Sequence, residues 1–495
     1  MWNSTDFCRK TFFLLLAATL VRLILMASSP LTDQSEGRYG SIAGNMAATG
    51  NFLDPNFWHE GEYVCFDGKP PLMFWMSALC VKVLGANAFA ARLASFAAAA
   101  VLLGLLYYVI KRYRDRETAV FSVMFCGLSG FFFIFSGVCL TDMVLCMNIG
   151  GALLCYMAFL SEETCRGRKR WSMLLFIFLG LGFLTKGPVA LALWGAPVFF
   201  WTLLNRKWAT LKDHAWVTGP ILFLAIAAPW FVLRSRENPD FLYYFFVNEN
   251  FKRFLFKEYG DRFGSGREFH YFAAVWMFLV DNLPWSAIVI LGCFKREFRE
   301  KILDWRHTVA DPVAGLSLLA VLLITGFWSL TSRVPITYLL PTIPVFAIWS
   351  AVLVRRCFPG ENALAKARKY LWGLGVATLA GVGAGLVVMS VMTYYQPIAT
   401  LYVIDAAREL RETRPELAGK KFYFVDETPY SADFYGRNDI INHENETPVE
   451  SINRAPEAIL IFNERDRRRL GDNFGKLQVH RRVGAWYIAT RSSGR

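Results

Sequence analysis

Long apolar runs, separated by short clusters of basic residues, constrain this chain more than any other feature. They recur at about 11–27, 90–110, 119–138, 142–160, 171–185, 188–204, 215–233, 271–293, 313–331, 337–354 and 371–394, each near the roughly 20 residues that cross a bilayer core. One such run can hide in a large soluble core, but a succession of them cannot. The 55% hydrophobic and 16% aromatic content agrees. The predicted fold class is a polytopic α-helical membrane protein with about eleven transmembrane helices. One further apolar stretch, Leu72 to Leu84, is too short to span and is interrupted by Lys82, which predicts a juxtamembrane or re-entrant helix. The first run is read as a retained helix, since no convincing small-residue cleavage site accompanies it.

A formal charge of +13 raises the question of nucleic-acid binding, and the placement of the charge argues against it. The basic residues gather at Arg9-Lys10, Lys111 to Arg116, Arg166 to Arg170, Arg206 to Lys212, Lys295 to Arg306 and Arg355 to Lys369, in every second connection. The positive-inside rule assigns those connections, and the N-terminus, to the cytoplasm. The outer connections are then residues 28–89, the turns near Asp142, Lys186 and Arg333, and the long loop 234–270. The ten cysteines form neither a CxxC pair nor a disulfide framework.

From about residue 395 the composition becomes that of a soluble domain, with charges throughout and the strand-like runs FYFVDE, AILIFNE and WYIATR. The expected division is therefore a membrane domain over 1–394, with outer loops at 31–89 and 234–270, and a small α/β domain over 395–495. An odd number of spans places that domain outside. It lacks a Gly-rich phosphate loop, which points to scaffolding or acceptor docking. Asn445-Glu446-Thr447 is a glycosylation sequon only in a eukaryotic secretory setting.

The residues able to carry chemistry sit at the outer ends of the spans. Residues 31–71 hold Asp33 and Glu36 near one end and Lys69-Pro70-Pro71 at the other, with Tyr39, Trp58 and Tyr63 between. Asp142 lies between two spans joined by a tight turn; it is either a helix N-cap or a carboxylate sharing a cavity with Asp33 and Glu36. Paired carboxylates can orient and deprotonate an acceptor hydroxyl. Lys69, Lys186 and Arg333 are each either interfacial or part of a phosphate pocket, and their convergence favours the pocket.

The ordered motifs LTDQSEGRYGSIAGNM, GKPPLMFW, ANAFAARL, LTDM, LTKGPVAL, APWF, NENFKRF, LPWS and TYLLP resemble the bacterial protein O-mannosyltransferase and lipid A aminoarabinose transferase superfamily, over roughly residues 10–355. That resemblance implies a C-type glycosyltransferase fold. It also implies transfer of a sugar from a polyprenyl-phosphate donor to lipid A, a glycan or a protein at the outer face of the inner membrane. The family's catalytic acid position in the first loop falls on Ser35, so the resemblance leaves Glu36 as the expected base and Asp33 as its competitor, with Asp142 assisting. Arg38, Tyr39, Lys69, Lys186, Glu249, Arg333 and Tyr338 are the expected substrate contacts.

Some relatives hold zinc through a Glu before the lysine and a His in the long loop. Here Gly68 replaces the Glu, and the His position falls near Gly266 or Arg267. Asp67 and His270 lie nearby, but ligand geometry is demanding, and no metal or other cofactor is expected beyond the donor lipid. Asp261 and Glu268 are either acceptor contacts or solvated charge. The competing classes are a flippase for a lipid-linked sugar, which would need internal repeats and mid-membrane charges, and a non-catalytic docking subunit.

Overall fold

The computed structural model describes residues 2–59, 62–256, 262–263, 268–441, 443 and 446–492. Asp261, Gly266, Arg267 and Asn445 lie outside them. The chain opens with α1 (Ser4–Ser28), whose cap Asn3 accepts a hydrogen bond from Asp6 N at 2.8 Å. The polar loop follows, carrying α2 (Ser35–Thr49) and the antiparallel hairpin β1 (Asn56–His59) and β2 (Glu62–Cys65). The short apolar stretch is α3 (Leu72–Leu84), and α4 (Ala88–Tyr113) starts at the Asn87 cap.

Six described helices are long and apolar enough to cross a membrane by themselves, and a seventh if one bent pair counts as a single span. Several of the expected spans take another form, among them 337–354, a short 3-10 turn followed by the 16-residue helix Thr342–Cys357. The stretch 119–138 is two helices, α5 (Arg116–Gly127) and α6 (Gly130–Phe135), broken at Leu128-Ser129. Residues 271–293 form the helices Ala273–Asp281 and Trp285–Gly292, which meet at 107° across Asn282-Leu283-Pro284. Proline supplies no backbone donor there, so the helix ends before it. Residues 188–204 form a helix of only 16 residues.

The centre is α7 (Thr141–Ser161), buried on every side from Thr141 to Phe159. It packs among α4, α8 (Cys165–Lys186), α9 (Val189–Leu204) and the helix Pro312–Ser329. A helix with no polar face is stable only when its neighbours supply the whole apolar surround. Following it are α10 (Thr218–Glu237), a π-helical stretch Tyr243–Lys252, the helix Thr342–Cys357 and the long helix Glu361–Tyr395.

The basic connections share one end of the bundle: Arg112 pairs with Glu162, Arg168 with Asp213, and Arg356 with Asp311. The polar loop and the C-terminal domain share another, because Asp33 N donates to Ile398 O at 2.7 Å. That domain is a four-stranded sheet in the order β3-β4-β6-β5, with β3 (Phe422–Phe424), β4 (Ile459–Asn463), β5 (Leu477–Val483) and β6 (Trp486–Arg491). β3 and β4 are parallel and the other pairs antiparallel. The three apolar runs of the sequence are β3, β4 and β6; β5, LQVHRRV, has too little apolar content to stand out.

Candidate active site

Five of the residues expected to contact substrate line one cavity of about 380 Å³: Lys69, Lys186, Glu249, Arg333 and Tyr338. They come from four regions. Lys69 closes the polar loop, Lys186 ends α8, Glu249 lies on the π-helical stretch, and Arg333 and Tyr338 follow the helix Pro312–Ser329. Gly187 makes the α8 terminus possible. Its φ of +70° is a conformation side chains resist, and an added Cβ would stand 2.6 Å from the Phe245 ring.

The cavity is cationic. Lys186 Nζ lies 2.5 Å from Asp142 Oδ1 and 3.6 Å from the centre of the Tyr338 ring. Asp142 in the first turn of α7 and Lys186 in the last turn of α8 each sit where the helix dipole favours their charge. Lys69 Nζ is 3.9 Å from Glu249 Oε2, and burial lowers its ammonium pKa. Glu249 also accepts from Arg253 at 2.8 Å, and Arg253 lines the cavity with the others. Sequence reasoning missed Arg253, although its i,i+4 spacing from Glu249 within NENFKRF was a readable signal. Among the described residues, four cations, Lys69, Lys186, Arg253 and Arg333, thus line this space with one carboxylate, Glu249. Such a set binds phosphate oxygens through charge-assisted hydrogen bonds.

Asp33, Glu36, Arg38 and Tyr39 are not among the lining residues. The expectation that Glu36 serves as the base is disfavoured by its hydrogen bonds. Its two oxygens take Arg92 Nε at 2.8 Å and Nη2 at 2.9 Å, with Cys139 N and Thr32 N at 3.0 and 3.2 Å. Burial raises its pKa, and the Arg92 charge and these donors more than offset that, so Glu36 is held below the usual carboxylate range. Arg92 also clamps the end of α1 through Met26 O, Ser29 O and Pro30 O, a role that ANAFAARL did not reveal.

Asp33 is held by the C-terminal domain. Its Oδ1 accepts from Ser431 N at 2.9 Å, and its Oδ2 from the Ser431 hydroxyl. Gly37 leaves the room, since a Cβ there would sit 2.3 Å from Asp33 Oδ1. Burial pushes the Asp33 pKa up to about 7, against the lowering effect of Ser431. The expected substrate contacts Arg38 and Tyr39 are instead packed. Arg38 donates to Phe263 O at 2.9 Å and lies 4.9 Å from the Phe66 ring centre, while Tyr39 is buried against Phe66 and Phe74.

No group of three or more His, Cys, Asp or Glu side chains suited to a metal occurs among the described residues. Asp67 is taken by Arg234 and Asn238, each at 3.0 Å, and His270 is exposed. Glu268 pairs with Arg333 at 3.0 Å.

The helical bundle built on α7, with a cationic cavity beside the polar loop, has counterparts among known proteins. The family described as Dolichyl-phosphate-mannose-protein mannosyltransferase matches residues 68–232. The undecaprenyl phosphate-alpha-4-amino-4-deoxy-L-arabinose arabinosyl transferase of Pseudomonas paraeruginosa is 28% identical over 75% of this chain and 64% of its own length. The protein of that name from Edwardsiella ictaluri is 26% identical over 77% of this chain and 65% of its own. The chain thus spans just under two thirds of these relatives.

Among solved structures, ArnT from Cupriavidus metallidurans bound to undecaprenyl phosphate aligns with a TM-score of 0.75 at 18% identity, covering 97% of this chain and 98% of that one. The archaeal oligosaccharyltransferase AglB from Archaeoglobus fulgidus aligns at 0.53 and 13% identity, covering 92% of this chain and 69% of its own. The chain is thus similar, over part of its length, to the protein mannosyltransferases and to the aminoarabinose transferases, the resemblance its motif order carries.

Proposed function

We propose that this protein transfers a sugar from a polyprenyl-phosphate donor to lipid A or another envelope acceptor. In this reading it works at the outer face of the bacterial inner membrane, with about eleven passes, a cytoplasmic N-terminus and an outer C-terminal domain. The relatives named for undecaprenyl-phosphate aminoarabinose support the donor class. The observation that carries the reading is the meeting of Lys69, Lys186, Arg253 and Arg333 on one cavity beside Tyr338.

The chemistry is a single inverting displacement. An acceptor oxygen bonds to the anomeric carbon as the bond from that carbon to the phosphate oxygen breaks, and the acceptor proton passes to a carboxylate. The four cations stabilise the charge that develops on the departing phosphate. Of these two loop carboxylates, neither of which lines the cavity, Asp33 suits the base role better than Glu36, because Ser431 alone holds its oxygens while Glu36 is saturated by Arg92 and backbone donors. Asp142 acts by fixing Lys186. Asp33→Asn, Glu36→Gln and Asp142→Asn are to be assayed for transfer from a polyprenyl-phosphate sugar. Asp33→Asn is expected to abolish turnover with donor binding intact, and full activity in all three variants would sink the carboxylate mechanism.

A further inference from the structure

We propose that Trp230, Arg234 and Asn238, at the C-terminal end of α10, form a positioning ladder that sets the place of Lys69 in the cationic cavity. Its bearing on donor binding rests on the transferase reading; its grip on the polar loop does not.

Lys69 does not hold its own position. Its ammonium has Glu249 as an ion-pair partner at 3.9 Å, the long end of ion-pair range. A flexible side chain with so loose a partner takes its placement from its backbone. On the C-terminal side that backbone is stiffened by Pro70 and Pro71, whose rings lock φ. On the N-terminal side the anchor is Asp67, two residues and at most about 7 Å of chain away.

Asp67 is buried, and α10 holds both of its oxygens. Arg234 Nε donates to Oδ1 and Asn238 Nδ2 to Oδ2, each at 3.0 Å. Arg234 Nη1 also donates to Asp54 Oδ1 at 3.1 Å, and one turn back Trp230 Nε1 donates to Leu53 O at 2.9 Å. The three donors recur at every fourth residue, so they share one face of the helix end. They grip the polar loop on both sides of the β1–β2 hairpin, at Leu53-Asp54 and at Asp67.

The same helix end leads into the stretch that carries Glu249 and Arg253. Trp230 packs edge-on against Phe241 with ring centres 5.2 Å apart, and Phe241 stacks at 5.8 Å on Phe245, which lines the cavity. One helix end therefore spaces Lys69 against Arg253, although none of its three ladder residues is among those lining the cavity. Two cations from separate loops hold one phosphate best at a fixed spacing, and geometry set in advance avoids ordering them on binding.

The test uses the full chain in nanodiscs with radiolabelled undecaprenyl phosphate as the probe. Arg234→Met is expected to weaken binding by about tenfold or more, and Arg234→Lys, which keeps a charge for Asp67, to recover part of the loss. In a Lys69→Ala background Arg234→Met is expected to add less than about twofold, because a residue acting through Lys69 has nothing left to position. Undiminished affinity in Arg234→Met, or the same tenfold loss without Lys69, would overturn the ladder. A second readout needs no donor: pulsed acylation of the Lys69 amine by acetic anhydride, located by mass spectrometry. It is expected to run about tenfold faster in Arg234→Met, as the amine leaves its fixed seat, and an unchanged rate counts against the ladder. Should Arg234→Met fail to fold, Asn238→Ala and Asp67→Asn carry both measurements. Faster acylation with no undecaprenyl phosphate bound by the unaltered protein counts against the transferase reading alone, and unchanged acylation with intact binding counts against the ladder alone.

Discussion

Arg92 uses every donor of its guanidinium, on Glu36 and on the carbonyls that end α1. Removing one partner of a buried pair leaves the other charge unpaired and costs about 3–5 kcal/mol. Glu36→Gln is therefore expected to lower the unfolding temperature markedly; an unchanged thermal transition would remove the structural role. Lys69→Ala and Arg253→Ala act differently. Each is expected to weaken donor-lipid binding about tenfold to a hundredfold, the worth of one charge-assisted hydrogen bond, with the fold intact. Binding of radiolabelled polyprenyl phosphate would reveal it. At this scale the sequence displayed the cations Lys69, Lys186 and Arg333 because charge at a span end is conspicuous. It could not display which carboxylates are already spent, because that depends on partners such as Arg92, 56 residues from Glu36.

The junction of α8 and α9 sets the position of Lys186 through a single residue. At φ +70° and ψ −143° Gly187 occupies a region nearly closed to other residues, at a cost of about 1–3 kcal/mol for any that enters. Gly187→Ala should displace Phe245 or tilt the end of α8, weakening donor binding while the rest of the bundle holds. A variant with wild-type affinity would show that the junction tolerates the shift. Helices with uniform apolar runs, such as α1 and α4, were legible from hydropathy, while their caps Asn3 and Asn87 emerged only from the structure. The breaks at Leu128-Ser129 and at Asn282-Leu283-Pro284 were not. The two meet in space, with Gly130 N donating to Leu283 O at 3.1 Å and Ser129 Oγ to Asp281 O at 2.6 Å, so backbone groups freed by one break are satisfied by the other. A sliding hydropathy window sees the apolar sum and not that exchange.

Across the whole molecule, the C-terminal domain is joined to the polar loop by the helix Tyr430–Gly436. Ser431 reaches Asp33, Asp433 takes Ser41, Asn45 and Tyr63, and Tyr435 takes Leu31 N. This contact is pH-sensitive through Asp33. Below about pH 4 its carboxyl is protonated in the folded and unfolded chain alike. Between the ordinary value of 3.8 and about 7 only the unfolded chain releases the proton, so stability is lost as pH rises through that window and levels off above it. Amide exchange of residues 430–436 is expected to quicken from pH 4 to 7 beyond its intrinsic rate, and Asp33→Asn to remove the excess. The composition change near residue 395 revealed a separate domain, but nothing local to either partner announced that Ser431 and Asp33 would meet. That docking also fixes an order of events in synthesis. Ser431 follows Asp33 by 398 residues, and at about 5–20 residues per second the ribosome needs roughly 20–80 s to supply it. For that interval the newborn loop stands without its anchor, so the candidate active site matures only when the last fifth of the polypeptide arrives.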